Sequence, residues 1–384
     1  MKSGWSQITC NTCKTIYLKI VYSRITLFFK GILVHGSVNH TLLICAIILL
    51  VKDKRAATDD SGNYRGIAIS SILLKVFDWI VLILFDKELK NDDNQFGYQT
   101  ESSANMCTWA VIETVNHFVN KGSTIYACLL DYRKAFDFCN HVIMFQNLLD
   151  RKVNKVFIRL MIVMYLHQSC FIKWQQTRSY SFSVTNGTRQ GGVFSPRGGF
   201  ATYLDPLLAS LRSSGYGCRI GGHWLGALAL ADDLILLSPS VQGLQQLVSI
   251  CEEHARATDL VFSTDNKNPE KSKTMCIAFQ CKTKLNLASI KLNGDVLPWK
   301  EKVNHLGFTL TCDCRSASDI MKKSLIHLHC VQPQPGVCLC LPRDQVEDVP
   351  ALQYSLLWVQ LLGILFQPDG KFQQNLECKS QNLV

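Results

Sequence analysis

Apolar residues follow two spacings along the middle of the chain, and each spacing predicts a different kind of element. Continuous apolar runs at residues 42–51 and 124–130 predict buried strands, and the second run ends at Asp131. Spacings of three and four predict helices at residues 71–88, 104–119, 141–150, 155–167, 196–212 and 242–257. Shorter runs predict a hairpin and further strands at residues 171–185, 218–222, 275–279, 290–292 and 306–310. Residues 1–40 carry an ill-defined helical pattern, and periodicity decays beyond residue 315.

One apolar run contains two adjacent acids, Asp232 and Asp233, in the middle of the sequence ALALADDLILL. Burying an unpaired carboxylate is very costly, so a single buried strand is a poor explanation of this pattern. A tight turn solves the problem, with strands at 227–230 and 234–237 and the two acids at the tip. The sequence therefore predicts a hairpin that directs both carboxylates into one shared space.

Asp131 follows a second buried strand and is expected to reach the same space. Three converging carboxylates repel one another unless a hard cation lies between them, and oxygen ligands suit Mg²⁺ or Mn²⁺. Two such ions about 3.5–4 Å apart can clamp the attacking and leaving oxygens of a phosphoryl transfer. A surface carboxylate is the commoner explanation for one acid alone, whereas three acids in these strand contexts favour a metal site.

The composition excludes several classes of protein. The chain has 384 residues, of which 47% are hydrophobic and 18% charged, which excludes wholesale disorder and is enough for two or three domains. Its 17 cysteines, without a secretory signal, predict reduced thiols in a cytoplasmic or nuclear protein that is not secreted. Neither Cys10 with Cys13 nor the cluster at 327–340 has regular zinc spacing. No apolar run approaches the roughly 20 residues that span a bilayer, so no membrane partner is expected.

The net charge of +10 is concentrated in one acid-free window, residues 151–204. A surface of this kind is a candidate for contacts with nucleic-acid phosphates, although a solvated basic face is an equally good explanation of the charge alone. The basic residues of the window are Arg151, Lys152, Lys155, Arg159, Lys173, Arg178, Arg189 and Arg197.

Three motifs occur in the order of the palm motifs of a reverse transcriptase: DYRKAFD at 131–137, RQGGVFSP at 189–196 and LADD at 230–233. More narrowly, they resemble the polymerase of LINE-type (non-LTR) retrotransposons. Supporting motifs, in order along the chain, are NYRGIA at 63–68, QFGY at 95–98, NPEKSK at 268–273 and HLGF at 305–308. The resemblance covers residues 42–312.

The resemblance implies an α+β right-hand polymerase with a palm sheet covered by helices on one face. Residues 1–41 would be an N-terminal extension, and 313–384 a degenerate thumb-like region. Fingers would occupy mainly residues 42–123, with some interleaved in the palm, and the palm mainly 124–312. The implied activity is RNA-directed DNA polymerisation, in which two Mg²⁺ ions assist addition of a dNTP to a primer 3′-OH. Template RNA and primer DNA would be the partners, with no stable protein partner. A weak or inactive nucleic-acid-binding remnant, or a chain that does not fold, remain the alternatives.

The resemblance also implies residue roles. Asp131, Asp232 and Asp233 would bind the metals, and Lys271 would protonate the leaving pyrophosphate. The remaining substrate-binding residues would be Arg65 and Lys52 at the triphosphate, Phe136 at the sugar, Gln190 and Gly191 at the new base pair, and Leu230 at the primer end. Leu230 departs from the aromatic residue usual in the family. A solvated loop lysine, a core phenylalanine and a surface lysine are the alternatives for Lys52, Phe136 and Lys271.

Overall fold

The structure is a computed structural model that describes residues 20–55, 57, 59–99, 102–264, 272–280 and 287–314. The chain divides into two compact units, and described residues 20–39 and 159–163 belong to the smaller one. In that unit residues 20–35 form helix α1. Lys271, the Cys10–Cys13 pair and the 327–340 cluster lie outside the described residues, as does the predicted thumb-like region beyond residue 314.

Seven further helices have defined bounds among the described residues. They are α2 (Ile72–Leu84), α3 (Ala104–Asn120), α4 (Ala135–Phe138), α5 (His141–Asp150), α6 (Lys155–Leu166), α7 (Thr202–Ser213) and α8 (Val241–Ala257). Side chains cap several starts: Ser71 accepts from Leu74 N at 3.2 Å before α2, and Ser103 from Met106 N at 3.3 Å before α3. The helix predicted over 196–212 instead begins as wide turns of π type at Ser195–Ala201, which run directly into α7.

The strands pair into two principal sheets and three short hairpins. In chain order the strands are β1 (Ile44–Val51), β2 (Tyr64–Ile69), β3 (Ile125–Leu130), β4 (Ser169–Trp174), β5 (Thr177–Arg178), β6 (Phe182–Ser183), β7 (Arg219–Ile220), β8 (His223–Trp224), β9 (Ala227–Leu230), β10 (Asp233–Ser238), β11 (Met275–Phe279), β12 (Lys291–Leu292), β13 (Asp295–Val296), β14 (Lys302–His305) and β15 (Phe308–Thr311). Strand β14, which pairs with β15, has no counterpart among the predicted strands.

The four-stranded sheet has the order β11-β3-β10-β9 and is antiparallel throughout. On one face, Ile125, Ala127 and Leu129 of β3 pack in a core cluster with Val111 and Val115 of α3. Helix α8 packs against β3 and β10 with its buried residues Leu244, Leu247 and Cys251. Cys128 of β3 points to the face opposite Ala127, and the nearby Cys251 thiol of α8 adds to the rise in its pKa that a Cys276 hydrogen bond and burial cause. Helices therefore cover both faces of this sheet, and the expectation of one covered face was wrong.

The five-stranded sheet has the order β2-β1-β4-β5, with β6 also paired to β4. Strand β1 is antiparallel to β2 and parallel to β4. Within β1 only Cys45 is buried, so the prediction of a buried strand at 42–51 was right about the strand and wrong about its burial. No helix among the described residues is both long and apolar enough to cross a membrane.

Candidate active site

The fold brings Asp131 and the Asp232–Asp233 pair to the same end of two adjacent strands. Leu130, the last residue of β3, pairs with Leu234 of β10, so Asp131 continues the register opposite Asp233. Leu230 pairs with Asp233, which leaves a two-residue turn between β9 and β10. The predicted hairpin is therefore present, except that Asp233 begins the returning strand instead of lying at the tip.

The charge of Asp131 reaches both carboxylates of the Asp232–Asp233 pair. Burial raises the pKa of Asp232, and the charge of Asp131 raises it further, while Arg65 and Lys273 act in the opposite direction. Asp233 is exposed, but partial desolvation raises its pKa to about 6, with added repulsion from Asp232 and Asp131. The site therefore disfavours full ionisation of its own carboxylates.

Lys273, two residues after the predicted Lys271, forms an ion pair with this carboxylate cluster. Lys273 Nζ lies 3.6 Å from Asp131 Oδ2, and the exposed lysine reaches a carboxylate whose side chain is 26% exposed. Among the described residues, no three acidic, histidine or cysteine side chains are gathered into a ready-made metal-ligand set. The donors are nonetheless oxygen atoms alone, the chemistry that fits Mg²⁺ or Mn²⁺, and they would have to close on the ion as it binds.

The QFGY segment contacts the aspartate turn directly. Phe96 N donates to Ala229 O at 2.7 Å, so this segment extends the sheet along the free edge of β9. The buried amide of Gln95 accepts from Ala231 N at 2.8 Å and donates to Ala231 O at 3.3 Å. The sequence indicated this segment only as a supporting motif. Nothing in the local sequence signalled that Gln95 contacts a residue 136 positions away.

The RQG loop lies against the five-stranded sheet. Ala68 N in β2 donates to Gln190 O at 2.7 Å, which occupies the outer edge of that strand. Gly191 has a φ of +100°, and a Cβ there would lie 3.0 Å from Ala68 O, so a larger residue would be strained and crowded. Arg65 lies on the same strand, exposed, and its charge reaches Asp232. The structure thus brings Gln190 and Gly191 against the strand that carries Arg65.

Two predicted substrate residues have strong contacts inside the protein. Phe136 in α4 is 7% exposed and stacks on Phe200, with ring centroids 4.8 Å apart. Lys52 Nζ donates to Gly62 O at 2.9 Å, and its charge acts on the nearby Asp137 rather than on the aspartate cluster. Burial raises the pKa of Asp137, and Lys134 and Lys52 oppose that rise. Leu230, the last residue of β9, is half-buried.

The acid-free window does not form one exposed basic surface. Arg151 pairs with Asp205, and Arg197 Nη2 lies 2.7 Å from Asp86 Oδ1. Arg189 is buried, with its guanidinium carbon 5.2 Å from the centroid of the Tyr165 ring.

Burial alone would lower the pKa of Arg189, but its interactions with buried Asp78, Tyr165 and Cys45 together more than offset this, so the pKa of Arg189 is raised. The acidic partners of Arg151, Arg189 and Arg197 all lie outside the window in sequence. For that reason the pattern of the window wrongly predicted these arginines to be surface cations.

The other basic residues of the window are exposed: Lys152, Lys155, Arg159, Lys173 and Arg178. Lys173 and Arg178 face each other across β4 and β5. The registers of β1 with its two neighbours place them on the face of the five-stranded sheet that also carries Arg65. This face, defined by Arg65, Lys173 and Arg178, is called the basic face below.

Comparison with known proteins identifies the family. A family model described as reverse transcriptase (RNA-dependent DNA polymerase) matches residues 52–310, and the chain belongs to this family. The α+β right-hand polymerase fold that the sequence predicted is thereby confirmed, as is the nucleotidyltransferase class of the domain.

The similar curated proteins are Pol polyproteins of retrotransposable elements, in agreement with the resemblance to non-LTR retrotransposons that the motifs carry. The chain is 25% identical over 224 residues to the Pol polyprotein of a type-1 R2 retrotransposable element from Nasonia vitripennis, covering 58% of this chain and 22% of the relative. It is 25% identical over 300 residues to the type-2 R2DM polyprotein of Drosophila melanogaster, covering 75% and 27%. The chain therefore spans about a quarter of the length of these relatives.

Among solved structures, a telomerase from Candida tropicalis in complex with a telomeric RNA fragment is similar over 75% of this chain and 49% of that one. The identity is 13% and the TM-score 0.46. A telomerase from Candida albicans is similar over 71% of this chain and 45% of that one, with 10% identity and a TM-score of 0.45.

Proposed function

We propose that this chain extends a DNA primer by adding deoxynucleotides opposite an RNA template. The observation that carries the proposal is the position of Asp131, Asp232 and Asp233 at one end of adjacent strands, in a chain of the reverse transcriptase family. Template RNA, primer DNA and dNTPs would be its partners, and base pairing would choose each nucleotide.

The three aspartates would hold two Mg²⁺ ions, with Mn²⁺ as a substitute. When bound, such a pair of ions stabilises the attacking and leaving oxygens of a phosphoryl transfer. The chain itself contributes the strand ends that hold the carboxylates, together with Lys273, whose ammonium lies 3.6 Å from Asp131 Oδ2. Because burial and mutual repulsion raise the pKa of Asp232 and Asp233, a cation must displace protons as it binds. Cation binding is therefore expected to strengthen as pH rises through about 6.

The substrate would lie between the aspartates and the basic face. Arg65 would hold the triphosphate, since its charge already reaches Asp232. Gln190 and Gly191 would lie beside the new base pair, because the loop is fixed against β2. Leu230 would support the primer end, Lys52 would assist at the triphosphate and Lys271 would protonate the pyrophosphate, as in the family.

Phe136 would exclude a ribose 2′-hydroxyl from the sugar site. Its stack on Phe200 would fix the ring, and a fixed ring discriminates better than a mobile one. Phe136→Val should raise ribonucleotide incorporation, measured as the ratio of kcat/KM for rNTP and dNTP. If that ratio stays at the wild-type value, Phe136 is a core residue and not a steric gate.

The exposed cations of the window would contact the phosphates of template and primer. They are Lys152, Lys155, Arg159, Lys173 and Arg178. Phosphates carry no sequence information, so binding should be similar for different templates and sensitive to salt.

Primer extension on poly(rA) with an oligo(dT) primer tests the proposal. The wild type should add dTTP in Mg²⁺, and Asp232→Asn should lose extension while binding the template–primer with unchanged affinity, because one metal ligand is lost and no phosphate contact. A wild type that binds but does not extend would identify a nucleic-acid-binding remnant. Loss of both properties in Asp232→Asn would show that Asp232 supports the fold.

A further inference from the structure

A single buried amide holds the turn that carries Asp232. The Gln95 side chain is 0% exposed, and it engages both backbone groups of Ala231, the residue immediately before Asp232. Its Oε1 atom also accepts from Gly97 N at 2.9 Å, so one oxygen serves two N–H groups. All polar atoms of this side chain are therefore directed at the turn and at its own loop.

The turn needs external support because of its backbone conformation. Ala231 has a φ of +57°, a left-handed conformation that is unfavourable for an L-residue with a side chain. The turn contains only Ala231 and Asp232 between paired residues of β9 and β10. The hydrogen bonds from Gln95 thus stabilise a strained residue at the point where the chain presents a carboxylate.

Close packing on the other side of the amide restricts the turn further. A Cβ added to Gly97 would lie 2.5 Å from Ala231 N and 2.8 Å from Gln95 Oε1. Only glycine leaves room for the loop to approach the turn so closely. The path of residues 95–97 and the position of Ala231 are consequently fixed together.

From these contacts we infer that Gln95 is a positioning residue, which sets the place of the Asp232 carboxylate through Ala231 and thereby the affinity of the site for a divalent cation. The cation part of this inference rests on the proposed function. The positioning part rests only on the geometry of Gln95, Gly97 and Ala231. Hydrogen-bond partners behind metal ligands typically change metal affinity by about 10–100-fold when they are removed.

The preceding residue, Asn94, supplies a matched control. Asn94 is also a buried amide, and it donates to Trp224 O at 3.1 Å and to Ala227 O at 2.7 Å. Ala227 begins the same strand, β9, at the end away from the aspartates. Gln95→Met and Asn94→Leu each replace a buried amide with an apolar side chain of similar size. Both are expected to lose a comparable amount of stability.

The first measurement is the dissociation constant of Mn²⁺ for the full chain, determined by isothermal titration calorimetry. Gln95→Met should raise the Mn²⁺ dissociation constant by about 10–100-fold, and Asn94→Leu should leave it within about twofold of wild type. Gly97→Ala, which displaces the turn without removing the amide, should weaken Mn²⁺ binding in the same direction and carries the test if Gln95→Met does not fold. Equal dissociation constants in the Gln95→Met and Asn94→Leu proteins would overturn the inference.

Amide hydrogen exchange in metal-free protein is the second measurement, and it separates this inference from the proposed function. The amide of Ala231 should exchange faster in Gln95→Met than in wild type or Asn94→Leu, because its acceptor is gone. A wild type that binds no Mn²⁺ would contradict the proposed function, and the exchange result would still decide whether Gln95 holds the turn. Unchanged exchange at Ala231 in Gln95→Met would show that it does not.

Discussion

The two principal sheets differ in how much of each is buried. In the four-stranded sheet, five of the six residues of β3 are buried, and β10 is buried from Leu234 to Ser238. In the five-stranded sheet, β1 and β4 each bury a single cysteine. The acids of the site emerge from the first sheet, whereas the cations of the basic face lie on the second.

The difference follows from what covers each sheet. Helices α3 and α8 pack on opposite faces of the four-stranded sheet, so its strand ends are held from both sides. The basic face of the other sheet carries half-exposed apolar residues such as Ile48 and Leu50 between its cations. The carboxylates therefore emerge from a sheet that is packed on both faces, whereas Arg65, Lys173 and Arg178 remain exposed, as the proposed contact with template and primer would require.

The largest expected effect is on the free energy of unfolding, and it is tested by comparing one isoleucine from each sheet. Ile235 of β10 is fully buried, so Ile235→Ala should lower the free energy of unfolding by about 2–5 kcal/mol through lost burial and a residual cavity. Ile48→Ala in β1 should cost much less, because Ile48 is only partly buried. Urea unfolding of both variants measures the difference. Equal losses would mean that the two sheets are supported alike.

A smaller effect is expected for the basic face. Replacing Lys173 and Arg178 with Gln removes two exposed cations from neighbouring strands. The slope of log K against log salt for template–primer binding should become shallower by about 1–2 units, since each phosphate contact contributes about 0.7–0.9. The control is Lys291→Gln with Lys302→Gln, two exposed lysines outside the window. If both double variants change the slope equally, the basic face does not line the nucleic-acid groove.

The smallest effect concerns pH in the metal-free protein. The pKa of the exposed Asp233 carboxyl is about 6, raised first by partial desolvation, above roughly 3.9 in an unfolded chain. The folded state therefore retains a proton that the unfolded state releases between about pH 4 and 6, and stability should fall as pH rises through that interval. Asp233→Asn should lose this component, measured as the urea midpoint at pH 4.5 and 7 with EDTA.

Buried His305 and half-buried His254 act in the opposite direction, so the pH dependence must be compared between the two proteins. Burial lowers the pKa of His254 and of His305 to about 4, so stability is lost as pH falls below their unfolded value of about 6.5. That contribution is common to wild type and Asp233→Asn and cancels in the difference. Identical pH dependence in the two proteins would show that Asp233 titrates at its ordinary value.

The local hydrophobic pattern was sufficient to predict the strands that carry the site aspartates. The apolar run before Asp131 and the interrupted run around Asp232 predicted β3 and the β9–β10 hairpin, because strand alternation and the cost of burying charge act within a few residues. The same reasoning predicted α5 from His141 to Asp150 and β11 from Met275 to Phe279 with their observed bounds. The order of motifs then predicted the family, which the comparison confirmed.

Only the tertiary structure decided which side chains meet across the chain. The window around Arg189 contains no acid, so the sequence predicted exposed cations, but Asp78, Asp86 and Asp205 approach from segments outside the window and draw three arginines inward. Gln95 reached Ala231 only because its loop pairs with the edge of β9. Hydrophobic periodicity indicates which face of an element is buried. These contacts depend instead on how elements distant in sequence are placed in space, and the residues around each position carry no signal of that placement.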